Sequence, residues 1–212
     1  MNDGYPVQLS VDYPDRDLDR LTSALRIFTV IPIAIVLGSI EGFGGRSGAG
    51  GSGGMSTLAV SGTGLLFLPP LLLMILFRQK YPRWWFDWNQ QLLRFTSRVT
   101  VYFALMDDTY PSTDEEQGVH LEFAYPDAQH ELNRWLPLVK WLLAIPHYIV
   151  LFFLDIGALL AVIAAWFAIL ITGRYPRELF DYVEGVIRWN LRVTGYAIIL
   201  VTDQYPPFRL RP

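Results

Sequence analysis

"YPRELFDYVEGVIRWNLRVTGY", Tyr175–Tyr196, decides how this chain is read, because Tyr81–Tyr102 carries the same line as "YPRWWFDWNQQLLRFTSRVTVY". Tyr-Pro-Arg, Phe-Asp, Arg, Arg-Val-Thr and Tyr recur at a spacing of 94 residues. In the first copy Trp85, Trp88, Leu92, Phe95, Val99 and Tyr102 fall at helical spacing. In the second, Leu179, Tyr182, Val186, Trp189, Val193 and Tyr196 take the same six places. Apolar residues in steps of three and four line one face of a helix. A proline in the first turn fits a helix start, where its missing N–H costs nothing. Each copy predicts an amphipathic helix.

The duplication extends outward. Val7–Pro14 matches Val119–Pro126, and apolar residues alternate in both (Val7, Leu9, Val11, Tyr13; Val119, Leu121, Phe123, Tyr125). That is the period of a half-buried strand. Each strand is followed by two apolar runs, the Tyr-Pro-Arg helix and a closing Tyr-Pro (Tyr110-Pro111; Tyr205-Pro206). The reading is two tandem units, residues 1–112 and 119–212, joined by an acidic linker at 113–118.

Composition points to a membrane. Hydrophobic residues make up 52% and charged residues 17% of the 212, and mean hydropathy is +0.28. A soluble domain carries about a quarter charged residues. Apolar runs cover Ile27–Ile40, Leu58–Phe77, Trp141–Leu154 and Ile156–Ile171. Five aspartates among the first 26 residues leave no secretory-signal pattern there. If the four runs are spans, 16 of the 17 Lys and Arg lie on one side, with only Arg46 opposite. Such asymmetry is the positive-inside pattern and places both termini in the cytoplasm. Two runs per unit make the repeat parallel, with any pseudo-axis along the bilayer normal.

The expected fold is therefore an all-α integral membrane protein of two parallel repeats. It has four transmembrane helices in two hairpins, two interfacial amphipathic helices and short cytoplasmic strands that can pair. The first hairpin tip, Gly42–Gly54, holds eight glycines in thirteen residues. It lacks the Gly-Lys-Ser/Thr of a phosphate loop and reads as flexible linker. The second tip is "LDIG" around Asp155. Leu136–Ile171 leaves about 16 residues per helix, or ~24 Å, against a hydrocarbon core of ~30 Å. That hairpin either spans with local thinning or is re-entrant, and a carboxylate at the tip favours spanning.

Trp84, Trp85 and Trp88 crowd the start of the first amphipathic helix, with Trp189 in the second, as expected of aromatics at headgroup level. Beside the apolar stripe run Asp87, Arg94 and Arg98, mirrored by Asp181, Arg188 and Arg192. The arginines could be guanidinium forks for anionic headgroups or a partner's carboxylates, or could pair with Asp87 and Asp181 across the units. His147, after Pro146, reads as a packing residue; its counterpart beside Pro32 is Ile33. Three scattered histidines (His120, His130, His147) and no cysteine make no metal site. No catalytic constellation, cofactor or nucleic-acid surface is expected.

Gly173–Phe208, "GRYPRELFDYVEGVIRWNLRVTGYAIILVTDQYPPF", resembles a bacterial family of inner-membrane proteins known only as a domain of unknown function. The first unit departs from the pattern: Gln79-Lys80 replaces Gly-Arg, and Phe95 replaces the tryptophan. The resemblance implies a bacterial inner-membrane location and no activity, substrate or cofactor. The leading expectation is a non-catalytic accessory or scaffold subunit of a larger membrane complex, its partners being lipids and other integral subunits. The alternative is an anionic-lipid-binding or lipid/small-molecule transport protein.

Overall fold

The computed structural model describes residues 5–14, 18–41, 71–113, 115, 117–127 and 132–211. Alternation does what the sequence predicts. β1 (Val7–Val11) and β2 (Val119–Phe123) pair antiparallel, with Leu9 opposite Leu121. Val7, Leu9, Val11, Val119, Leu121 and Phe123 are buried, while Gln8, Ser10, His120 and Glu122 face out. Period-two alternation turns one whole face of the ribbon inward.

Among the described residues the α-helices are, in chain order, α1 (Arg20–Glu41), α2 (Arg83–Phe103), α3 (Leu136–Leu143), α4 (Ile145–Thr172) and α5 (Arg177–Thr194). Short π-helical turns occupy Met74–Arg78 and Gly195–Ile199. α2 and α5 begin where proline predicts, with Pro82 and Pro176 as extended N-caps. They lie against the buried side of the ribbon, α2 on β2 and α5 on β1. α1 and α4 pack on each other further from the strands, and the Trp166 indole donates to the Ser23 carbonyl at 3.2 Å.

The four-span, two-hairpin arrangement is not what the chain forms. The second expected hairpin is one helix: α4 runs through "LDIG" unbroken for 28 residues, about 42 Å. Two features remove the need for a turn. Asp155 accepts a hydrogen bond from Asn190 Nδ2 at 2.9 Å, so its carboxylate is satisfied without reaching an interface. Gly157 lets the Tyr182 ring approach; a Cβ there would lie 2.4 Å from the tyrosine oxygen. The helix instead breaks at Ala144, between α3 and α4. Pro146 has no N–H to give the carbonyl four residues back. Of the first expected hairpin, the glycine-rich tip, Pro69-Pro70 and most of the second arm lie outside the described residues.

Among the described residues one helix, Leu136–Thr172, is long and apolar enough to cross a membrane. A second qualifies only if α1, bent by 50° between Arg26 and Phe28, counts as one span. Only 17% of the most apolar window of Leu136–Thr172 is buried inside the protein, unlike the core helix of a soluble domain. The amphipathic helices also differ from expectation. Their apolar stripes are covered by protein: Trp85, Phe95, Val99 and Tyr102 on α2, and Val186, Trp189 and Val193 on α5, are all buried. The ribbon and the helices α1 and α4 offer a nearer apolar surface than the bilayer.

Candidate functional site

The polar groups of the repeated segments converge on three places, and the contacts come in pairs. The Arg188 Nε donates to the Leu9 carbonyl at 2.9 Å, and the Arg94 Nε donates to the Leu121 carbonyl at 3.0 Å. In the ribbon the odd-numbered residues direct their backbone groups away from the partner strand, leaving an unpaired edge. The arginines cap that edge. On β1 the cap is double, since Glu184 Oε1 accepts from the Val11 N–H at 3.2 Å while also pairing with Arg188. Acid and base four residues apart on one helix thus supply the acceptor and the donor that a third strand would have supplied. Desolvation nevertheless pushes the Glu184 carboxyl above the ordinary carboxylate range, with the nearby Arg188 charge and the Val11 N–H opposing.

The pairing is crossed between the halves of the chain. Tyr13 donates to the Tyr175 carbonyl and Tyr125 to the Tyr81 carbonyl, each at 2.6 Å. Tyr13 meets Phe180 edge-on at 5.0 Å, and Tyr125 meets Phe86 at 5.1 Å. Arg177 lies over Tyr13 and Arg83 over Tyr125. The strand of the N-terminal half is therefore held by the helix of the C-terminal half, and the reverse.

The second place is a pair of buried cations. Lys140, fully buried on α3, donates to the Thr202 carbonyl and pairs with Asp203 Oδ1, both at 2.6 Å. Its ammonium stands 5.1 Å from the Tyr196 ring centroid. Arg26 on α1 likewise donates to the Tyr102 carbonyl at 2.8 Å, pairs with Asp108 and lies over the Tyr102 ring at 4.2 Å. In each case a cation of a bare apolar helix is neutralised by the segment that closes an amphipathic helix. Such a buried pair is costly to break from one side.

The third place has no polar counterpart in the first half. His147 is fully buried. The Trp189 indole donates to its Nδ1 at 3.1 Å, which makes Nε2 the protonated nitrogen, and among the described residues Nε2 has no hydrogen-bond partner. The ring stacks on Phe208 at 4.0 Å and 17° and touches Tyr205. On α1 and α2 the corresponding contact is Ile33 against Phe95 and Val99.

The residues singled out from sequence divide as follows. Arg94, Arg98, Arg188 and Arg192 lie on the inner sides of their helices. Arg98 donates to the Ser112 carbonyl at 2.7 Å, and buried Arg192 reaches the Arg211 carbonyl at 3.5 Å. Asp87 and Asp181 are exposed. Trp84 is exposed, Trp85 is buried and stacks on partly exposed Trp88 at 5.7 Å, and Trp189 is buried. His120 is exposed beside Asp12, and His130 lies outside the described residues. Sequence reasoning missed Glu184, whose signal was its position one turn before Arg188. It also missed Arg26–Asp108 and Lys140–Asp203, pairs too far apart in sequence for any local signal. Where the ribbon meets the closing segment there is an open groove of about 750 Å³, lined by Tyr5, Gln8, Glu122, Phe123, Thr202 and Asp203 among others.

Lys140, His147, Asp155, Trp189, Asp203 and Phe208 all fall within residues 135–209. No curated protein and no solved structure matches the chain. A family model does match over that stretch: residues 135–209 match that of DUF4389, a domain of unknown function.

Proposed function

We propose that this protein is a non-catalytic accessory or scaffold subunit at the bacterial inner membrane, built from two tandem halves related by a two-fold pseudo-axis. The observation that carries the reading is the division of the molecule into two sides. One side is a set of bare apolar helix faces. The other is a polar body whose buried cations are taken up internally.

The bare side includes Phe152, Phe153, Leu160, Phe167 and Ile171 on α4 and Leu21, Phe28 and Ile35 on α1, all exposed. Burying one such side chain fully is worth about 1.5–3 kcal/mol, so these eight together favour covering by roughly 10 kcal/mol even at half burial. A surface of that size marks a membrane or protein contact. The paired contacts of Tyr13 with Tyr175 and Tyr125 with Tyr81, and of Arg188 with Leu9 and Arg94 with Leu121, support the two-fold relation. An antiparallel pair with Leu9 opposite Leu121 has its axis between those two residues, normal to the ribbon.

The lipid-handling alternative needs guanidiniums free to grip headgroups. Arg94, Arg98 and Arg188 give theirs to the carbonyls of Leu121, Ser112 and Leu9, so we favour the scaffold. Exposed Arg20, Arg78, Lys80, Arg134 and Arg174 flank the apolar helices, which fits a cytoplasmic-side location. The partner subunit docks on the polar side at the groove beside exposed Glu122. Purification of the full chain from native membranes in mild detergent, with cross-linking, tests this. A co-purifying membrane protein whose cross-link is lost in Glu122→Arg is expected. A lone monomer released from membranes by alkaline carbonate would overturn it.

A further inference from the structure

Resting on that membrane reading, we propose that the protein is monotopic: α3 and α4 lie in the plane of one leaflet, their bare stripe sunk among the acyl chains, with α5 on the aqueous side. The helix long enough to cross the bilayer is, on this view, lying along it.

The stripe itself is the first reason. On α4 the exposed residues Ile145, Ile149, Phe152, Ile156, Leu160, Ile163, Phe167 and Ile171 recur in steps of three and four along nearly the whole helix, one face of a single cylinder, which exposed Tyr148, Val150 and Phe153 widen in its first half. The opposite face, His147, Leu151, Ala161, Ala165 and Ile169, is buried against the body. Bareness and coverage run side by side from end to end, so one continuous apolar medium can cover the whole length of the helix; the direction in which it lies is set by what stands behind it.

The second reason is what lies on the covered side. α5 packs antiparallel along the back of α4: Trp189 meets His147, Asn190 meets Asp155, and the Tyr182 hydroxyl donates to the Leu154 carbonyl at 3.1 Å. Leu154 is the midpoint of Leu136–Thr172. Were that stretch to cross the bilayer, Asp181 and Glu184, the neighbours of Tyr182, would stand at its midplane with exposed Glu178 and Arg177 close by. Charges at that depth are among the most unfavourable placements in a membrane. Laid flat, the same contacts lift every one of those groups to the water side.

Charge argues for lipid as the occupant. From Trp141 to Thr172 the only charged side chain is Asp155, which is turned to Asn190. Exposed arginines, Arg134 and Arg174, stand just beyond the two ends, matching an anionic headgroup layer around an uncharged acyl layer. Exposed Trp135 and Trp141 sit at one end, where indoles favour the interface.

Position by position, α1 repeats the pattern. Leu21, Leu25, Phe28, Ile31 and Ile35 stand 114 residues before Trp135, Val139, Leu142, Ile145 and Ile149, and all ten are exposed. The inward positions between them differ in chemistry: Arg26 against Lys140, and Ile33 against His147. Bare apolar positions kept through both halves while inward ones diverge indicate one working surface.

The chain has no cysteine, so single cysteines report cleanly. Phe153→Cys, Leu160→Cys and Phe167→Cys on the stripe, with Glu178→Cys and Asp181→Cys on α5, are labelled with an environment-sensitive fluorophore. Each is bound to phosphatidylethanolamine vesicles containing one-quarter phosphatidylglycerol and quenched by spin labels placed near the headgroup or near the chain end. The three stripe positions should be quenched alike, within about twofold, and more by the shallow label, while the two α5 positions stay unquenched. A graded profile, with Leu160→Cys quenched best by the deep label and the outer positions open to opposite sides, overturns the proposal. So does absence of stripe quenching in protein that floats with vesicles, which would assign the face to a partner protein. Failure to float at all sinks the membrane reading beneath it, a separable result.

Discussion

Replacing Arg188 by methionine keeps the unbranched apolar stem, ends two atoms short of the terminal guanidinium nitrogens and removes three polar contacts. The variant loses the Nε donation to the Leu9 carbonyl at 2.9 Å, the Nη1 donation to the Leu210 carbonyl at 3.0 Å and the pairing with Glu184. A hydrogen bond to a charged group is worth about 1.5–3 kcal/mol. The Leu9 edge and the Glu184 carboxylate are then left with little compensation, and removing one partner of a buried pair costs about 3–5 kcal/mol. We expect Arg188→Met to destabilise by about 3–5 kcal/mol, a fall in Tm of roughly 6–20 °C for a chain of this size. Arg94→Met, at the equivalent place on α2, loses one bond from a half-buried side chain and should cost about 1–2 kcal/mol. Tryptophan fluorescence melts in one detergent measure both. Arg188→Lys should recover less than half the loss, because an ammonium cannot reach Leu9, Leu210 and Glu184 together. The edge-cap argument is refuted if Arg94→Met costs as much as Arg188→Met, or if Arg188→Lys melts like the wild type. A fully stable Arg188→Met that has lost bound anionic lipid would instead favour headgroup binding.

Three further outcomes follow from the geometry. Because burial holds the Glu184 carboxyl above its unfolded value, its contribution is complete below the ordinary carboxylate pKa and is lost as pH rises through the raised folded one. Stability should fall across that window in the wild type, and a flatter pH–Tm curve is expected for Glu184→Gln. His147→Ile leaves the Trp189 indole N–H without an acceptor and should cost about 1–3 kcal/mol; adding Trp189→Phe, which recreates the Ile33–Phe95 contact of the first half, should recover most of it, and additivity of the two melts would contradict this. Gly185→Ala places a Cβ 2.8 Å from Leu210 Cβ and 3.0 Å from its carbonyl oxygen, so the C-terminal segment should lift and trypsin should cut after Arg209 at least several-fold faster than in the wild type.

Local periodicity was legible from the residues alone. Val7–Tyr13 and Val119–Tyr125 announced strands whose observed cores are Val7–Val11 and Val119–Phe123, because alternation is written into neighbouring residues. Pro82 and Pro176 marked the starts of α2 and α5 for a similar reason: proline restricts its own φ and gives up its own N–H. Arg188 was visible as a member of a polar stripe beside the apolar one, and Glu184 could have been found one turn away. What the stripe touches was not visible, since Leu9 lies 179 residues from Arg188 and the strand carbonyl that receives the guanidinium has no side-chain signature.

Trp141–Ile171 shows where local chemistry stops deciding. Leu-Asp-Ile-Gly suits a turn at a membrane surface and suits the middle of a helix, because a carboxylate needs a partner and is indifferent to whether water or an amide provides it. Asn190 and Tyr182, brought alongside by the folding of α5 onto α4, supplied the amide and filled the space over Gly157, so the helix continued. Residue by residue, the chain determined which segments are strand and which are helix, which faces are apolar and where α2 and α5 begin. The tertiary structure alone decided that two expected hairpin arms are one rod and that the arginines face strand edges. Those outcomes depend on partners far away in sequence, and only the assembled contacts set their relative free energies.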